Sequence, residues 1–552
     1  MNKVLKGLVA VAATAAMAVA GFAGASTAMA ADGDVTITIN NASVGDVYAG
    51  YRLFNETEAG NNVAYQKRTD WDHYDKVAGA IKAVDSTSTV TKDSKVDNFV
   101  AALDKFNAAQ IKKFAETLYK TLKTDNVGVD NISSAVADGA TSTTLSGPQG
   151  YYLIVQTIAG SGDDNNDKTI SAVIVNTAGQ DGVNVSAKKD TVTVNKKVQE
   201  NQDGVNNPKQ ENWGTAADYN IGDYVPFQLT GTLPTDYADY SSYAYTFHDT
   251  ASKGLTFVND NDHPVKVYAV NGNSRVEIKA DASNGYQVLT KGIAKGGTFN
   301  VKFADLKQAQ AANVGATVEI TSATKIVVEY YAKLNNNAVL GANGNPNEVY
   351  LEFSNNKYGE GTGKTENHKV TVFTFKLEVT KYGKTDSGKE ALNGAGFTLY
   401  KTTKANLADS DYTKVGEEVK NLNGNVFDFT GLDSGYYKIV ETTTPKGYNT
   451  IDPITFTVTA TYDSVNEPGT LSALTVTDVK IGGVASSDQI FTTDTATGDA
   501  GAAQIKTDVV DTPGSKLPST GGMGTVLLYV AGIAVFALAG ATLVMALRRR
   551  NA

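Results

Sequence analysis

Short apolar runs with a period of two recur along nearly the whole chain, separated by Gly, Asn and Asp. Val35-Thr36-Ile37-Thr38-Ile39, Tyr243-Ala244-Tyr245-Thr246-Phe247 and Leu377-Glu378-Val379-Thr380-Lys381 each place every second side chain on one face. A strand of this kind buries one face and wets the other, so its sheets must pack in pairs. With 552 residues, the chain is long enough for three or four such units. An apolar content of 41% can fill several cores, and 20% charged residues is too few for a disordered polyelectrolyte. The balance of 49 Lys+Arg against 59 Asp+Glu, a net −10, opposes nucleic-acid binding. The expected class is mainly β, with tandem β-sandwiches. One stretch departs from it. Val96, Phe99, Val100, Leu103, Phe106, Ile111, Phe114, Leu118 and Leu122 fall at helical spacing, which predicts one amphipathic helix or a helical pair inserted in the first unit.

The two ends set the compartment. Residues 1–30 carry Lys3 and Lys6, an Ala-rich apolar run, and Ala28-Met29-Ala30, the layout of a signal peptide cleaved between Ala30 and Ala31. Residues 524–547 form the expected transmembrane segment, and the basic tail 548–552 would hold its end in the cytoplasm. Leu517-Pro518-Ser519-Thr520-Gly521 stands just before that segment. In this order the three parts resemble the sorting signal of sortase substrates in Gram-positive bacteria. The resemblance implies attack by a sortase thiolate on the Thr520 carbonyl, departure of Gly521 with the membrane tail, and transfer of the acyl group to an amine. The precursor would sit transiently in the plasma membrane, and the product would be covalently attached to the cell wall. Between leader and motif three blocks separate, at 31–188, 189–369 and 370–514, each with turn-punctuated strands of immunoglobulin-like spacing.

The third block carries the sharpest internal motif. Tyr436-Tyr-Lys-Ile-Val-Glu441-Thr-Thr-Thr-Pro445-Lys-Gly447-Tyr448 resembles the E-box of collagen-adhesin B-type domains, and Leu377 to Lys381 resembles their first strand. Period two places Lys381 on the face of Leu377 and Val379, where a lone ammonium is costly. The resemblance implies a resolution: an intramolecular isopeptide bond from Lys381 to a last-strand partner, with Glu441 as proton shuttle. Many relatives end in Asn. This chain has Val509-Val510-Asp511-Thr512-Pro513, so Asp511 is the expected acceptor, losing water where an amide would lose ammonia.

In the second block Val192, Val194, Lys196 and Val198 share a face, which favours Lys196 over Lys197 as the buried amine. Val349, Leu351, Phe353 and Asn355 share another, and Asn355 is the expected acceptor. Asp249, in a segment similar to the matching domain of sortase-assembled pilins, would be the acid; the same residue could instead cap a turn. In the first block Gly150 to Thr157 resembles an E-box strand with Gln156 in the acid's place. Gln cannot shuttle a proton, so no bond is expected there. With no Cys in the chain, amide cross-links would replace disulfides.

Val183-Asn-Val185-Ser-Ala-Lys188 is similar to the acceptor motif of backbone pilins at both Val positions and at Lys, though Ser186 and Ala187 replace Tyr and Pro. Lys188 is the expected acceptor for a neighbour's Thr520, with Lys189 the alternative. Taken together, the chain resembles the major (backbone) pilin of sortase-assembled fimbriae, a structural subunit supporting cell adhesion. The resemblance implies pilus-specific and housekeeping sortases, identical pilin subunits, tip or basal pilins, peptidoglycan and a host glycan or matrix receptor as partners. A monomeric wall-anchored adhesin or a basal pilin is the alternative. The chemistry expected is autocatalytic and single-turnover, so the chain is not an enzyme. No cofactor or metal is expected: His73, His248, His263 and His368 form no ligand pattern, and the acidic runs at Asp260 and Asp163 read as polar turns.

Overall fold

The computed structural model describes residues 34–42, 44–59, 62–130, 132–158, 172–177, 180, 182–186, 191–201, 213–359, 361–402, 411–463, 467–494 and 504–515, with the single positions 542 and 545. The expected leader, the 517–521 motif, the basic tail, Lys188 and Lys189 lie outside the described residues, as does the expected span but for those two positions.

The N-terminal region is built on a five-stranded sheet whose longest members are Val47–Ala59 and Gly150–Ile158. Alternation gives this sheet two buried faces. Tyr51, Leu53, Tyr151, Leu153 and Val155 meet the helices, while Tyr48, Tyr152 and Ile154 meet a three-stranded sheet containing Asp34–Asn40 and Gly182–Ser186. The predicted helical pair is present as α2 (Val96–Leu103) and α3 (Ala108–Thr124). Asn107 starts α3 through a reciprocal capping box with Gln110, and Phe114, Leu118 and Leu122 form its buried stripe. A further helix precedes them, α1 (Tyr74–Val84), whose apolar stripe of Tyr74, Val77 and Ile81 is broken up by Ala and Gly.

The middle region packs two seven-stranded sheets around one core that includes Phe227, Tyr245, Phe247, Tyr330 and Leu351. The C-terminal region packs a five-stranded against a six-stranded sheet around Leu377, Phe397, Tyr437, Phe456 and Ile505. The apolar run Val370 to Thr380, which looks continuous in sequence, is two strands. His368–Phe373 pairs with Asn345–Ser354 in the middle region, and Phe375–Thr385 opens the C-terminal one, so the change-over falls at Thr374 and not at 369/370.

Candidate cross-linking sites

Strand Phe375–Thr385 alternates buried and half-buried side chains, which turns Leu377, Val379 and Lys381 into the core. Its parallel neighbour Gln504–Asp511 sets Val509 opposite Lys381 and Asp511 opposite Gly383, so Lys381 and Asp511 share the inner face two positions apart. Glu441 enters from the opposing sheet on Gly435–Thr443. Lys381 Nζ contacts Asp511 Oδ1 and lies 2.9 Å from Glu441 Oε1, and none of the three side chains has solvent exposure. The Phe397 ring covers the amine at 5.4 Å. Local chain just after the E-box strand supports the acid, and Tyr448 packs on the lysine's strand. Ile451 N–H donates to Glu441 Oε2 at 3.1 Å, and the Tyr448 ring lies where a Cβ on Gly383 would be only 2.8 Å away. Burial pushes the Asp511 carboxyl up to about 6, opposed by the neighbouring Lys381. An amine, a neutral acid and a second carboxyl in a dry core can condense to an amide.

The middle region repeats the arrangement with different spacing. Lys196, on Val194–Gln199, has no exposure, and its Nζ lies 2.5 Å from Asp249 Oδ2. Tyr330 OH donates to the same oxygen at 2.7 Å, and Asn347 Nδ2 donates to Tyr330 OH at 2.9 Å. Lys196 Nζ also donates to the Glu348 carbonyl at 3.2 Å, next door to Asn347. Phe227 and Tyr330 flank the amine at 5.5 and 5.6 Å. Burial pulls Lys196 down to about 8 against the pull of Asp249, and burial pushes Asp249 up.

The structure departs from the expected placement of Asn355. Asn347, and not Asn355, stands at this site. Asp249 pairs with Val349, and Asn355 lies six residues further on, roughly 20 Å along the chain at about 3.3 Å per residue. Asn355 is buried elsewhere, and among the described residues neither of its side-chain polar atoms finds a hydrogen bond. Inward parity is common to both Asn residues, so period two could not choose between them; the pairing register does.

In the N-terminal region Gln156 Nε2 donates to Asp46 Oδ1 at 2.7 Å and Tyr48 OH donates to Asp46 Oδ2 at 3.3 Å, all three buried. Val183 and Val185 of the expected acceptor motif pair in parallel with Ile37 and Ile39, and the motif's lysine falls beyond the described part of that strand. Asp260 Oδ1 accepts from the backbone of Asp262 and His263, as in a polar turn.

Residues 376–468 match the SpaA family of prealbumin-like fold domains. That match falls in the last of the tandem β-sandwiches, and the rest of the chain is likewise mainly β. The chain is 28% identical over 419 residues to the trypsin-resistant surface T6 protein of Streptococcus pyogenes serotype M6, covering 66% of this chain and 70% of that one. Among solved structures, it aligns with the T6 backbone pilin of serotype M6 Streptococcus pyogenes over 88% of this chain and 99% of that one, with 17% identity and a TM-score of 0.49. The full-length major pilin SpaD of Corynebacterium diphtheriae aligns over 87% and 98%, with 15% identity and a TM-score of 0.43.

Proposed function

We propose that this chain is the backbone subunit of a covalently polymerised cell-surface pilus, joined by a sortase from Thr520 to Lys188 of the next subunit and anchored finally to peptidoglycan. The observation that carries the reading is the unexposed triad Lys381, Asp511 and Glu441, of which Lys381 and Glu441 fall within the residues that match a SpaA prealbumin-like domain. Lys381 Nζ attacks Cγ of Asp511, Glu441 relays the proton, and water leaves as the amide forms. At the middle site Lys196 attacks Cγ of Asn347, Asp249 relays the proton, and ammonia leaves.

The topology gives these bonds a mechanical sense. The chain enters the C-terminal sandwich on Phe375–Thr385 and leaves on the parallel Gln504–Asp511. An amide between Lys381 and Asp511 passes tension straight from one strand to the other and takes residues 382–510 out of the load path. Stretching then acts on covalent bonds that unfolding cannot release.

The test is an immunoblot of cell-wall extracts from boiling SDS, comparing wild type with Lys188→Ala. A high-mass ladder that collapses to monomer in the variant supports the reading. A ladder that persists moves the acceptor to Lys189 or another lysine, and monomer alone in the wild type makes the chain a singly anchored adhesin or a basal pilin.

A further inference from the structure

A second buried polar cluster, remote from both lysine sites, lies where the middle region meets the C-terminal one. Glu200 follows strand Val194–Gln199, and Asp218 ends the short strand Ala216–Asp218. Facing them are Lys401 on Gly396–Thr402, Asp433 and Ser434 at the corner before Gly435–Thr443, Tyr437 on that strand, and Tyr462 on Ile454–Asp463. The cluster ties the regions together directly. Ser434 N–H and Tyr462 OH donate to the two carboxyl oxygens of Asp218, and Asn201 Nδ2 donates to Asp433 Oδ2 at 2.8 Å. Nearby, Ile221 N–H donates to the Gly431 carbonyl at 3.0 Å.

Among the described residues, three carboxyls thus share a dry interface with one ammonium, Lys401, which contacts Asp433. All three ionised would leave two uncompensated negative charges out of water, which is strongly unfavourable. Hydrogen bonding shows where the proton belongs. Asp218 accepts on both oxygens, as does Asp433, from Lys401 and Asn201. Glu200 accepts from Asp218 N–H through Oε2 at 3.0 Å and lies against the Asn201 backbone, while its buried Oε1 finds no hydrogen bond of good geometry among the described residues.

We propose that the middle and C-terminal sandwiches are clasped by a proton held on Glu200, and that loss of this proton loosens the junction. Burial and the charge of Asp218 raise the Glu200 carboxyl well above its ordinary range, and burial raises Asp218. A carboxyl raised in the docked state stabilises docking below its undocked value, and that stabilisation is lost as pH rises through the docked value. The other groups facing the cluster are the phenols of Tyr219, Tyr437 and Tyr462, which burial and the surrounding acids keep protonated for Tyr219 and Tyr462. Asp223 adds a further negative charge beside Tyr219. Such a junction would make the stiffness of the chain depend on pH independently of any covalent cross-link.

Because the chain has no Cys, dyes on Lys291→Cys and Val484→Cys, both exposed and one in each region, report the junction by single-molecule energy transfer in the full-length protein. A single narrow population at pH 5 that gives way several-fold to an open or broadened one at pH 9 is expected. Glu200→Gln should stay narrow at both pH values. Equal distributions for the wild type at the two pH values overturn the proposal, and so does a Glu200→Gln protein that opens like the wild type while keeping native far-UV circular dichroism.

Discussion

Lys381 and Asp511 stand on neighbouring parallel strands two positions out of register, with Glu441 completing the contact from the opposite sheet. If the pair condenses, the intact mass of the C-terminal region falls by about 18 Da, and Glu441→Gln, which keeps shape but cannot relay a proton, restores the full mass. Closing a loop of 511 − 381 = 130 residues should also stabilise that region by on the order of 5 kcal/mol, read as a drop in its unfolding midpoint in the variant.

At the middle site Asn347→Ala should abolish a loss of about 17 Da, while Asn355→Ala leaves it in place. Peptide mapping decides the matter. A linked peptide containing Lys196 and Asn355 would refute the assignment made from the register.

The middle site should respond to pH when chain recovered unfolded is refolded and quenched for mass spectrometry. Lys196, pulled down to about 8, gains neutral amine about tenfold per pH unit up to that value, so the ammonia-losing step should accelerate from pH 6 to 8. Linkage sets the signs in the uncross-linked fold: stability from Asp511 is present below its unfolded value and lost as pH rises through about 6, and stability tied to Lys196 is lost as pH falls through about 8. An ammonia loss that does not accelerate between pH 6 and 8 would contradict this account.

Lys357 joins the N-terminal and middle regions. Its Nζ lies 2.7 Å from Glu116 on α3 and 2.9 Å from Asp236, and beside it the Tyr358 ring meets Tyr119 at 4.7 Å. Removing one partner of a buried ion pair typically costs about 3–5 kcal/mol. Lys357→Met should cost toward the lower end of that range, because Glu116 is partly exposed. With Trp213→Phe as background, fluorescence of the remaining Trp71 in the N-terminal core reports that unfolding transition in urea.

Much of the candidate chemistry is legible in single strands. Parity alone selects Lys196 over Lys197 and turns Lys381 inward, because successive side chains must point to opposite sides of a pleat. The E-box marks Glu441 through residues close in sequence, and its hydrogen bond from Ile451 N–H is likewise local. Helix α1 was less visible because Ala78, Gly79 and Ala80 dilute its apolar stripe over only 11 residues.

What a strand pattern leaves open is which residue of one strand meets which residue of another. Asn347 and Asn355 have the same parity, and only the register of Tyr245–Ala251 against Asn345–Ser354 brings the first to Asp249. The break at Thr374 inside one apolar run, and the meeting of Glu200 with Asp433 across 233 positions, likewise follow from which sheets close on each other. The sequence by itself determined the β-sandwich class, the buried lysines and the acid beside Lys381, because these rest on local periodicity and motif. Register, the asparagine that stands near Lys196 and the junction follow from tertiary packing, since they depend on the burial of distant faces against one another.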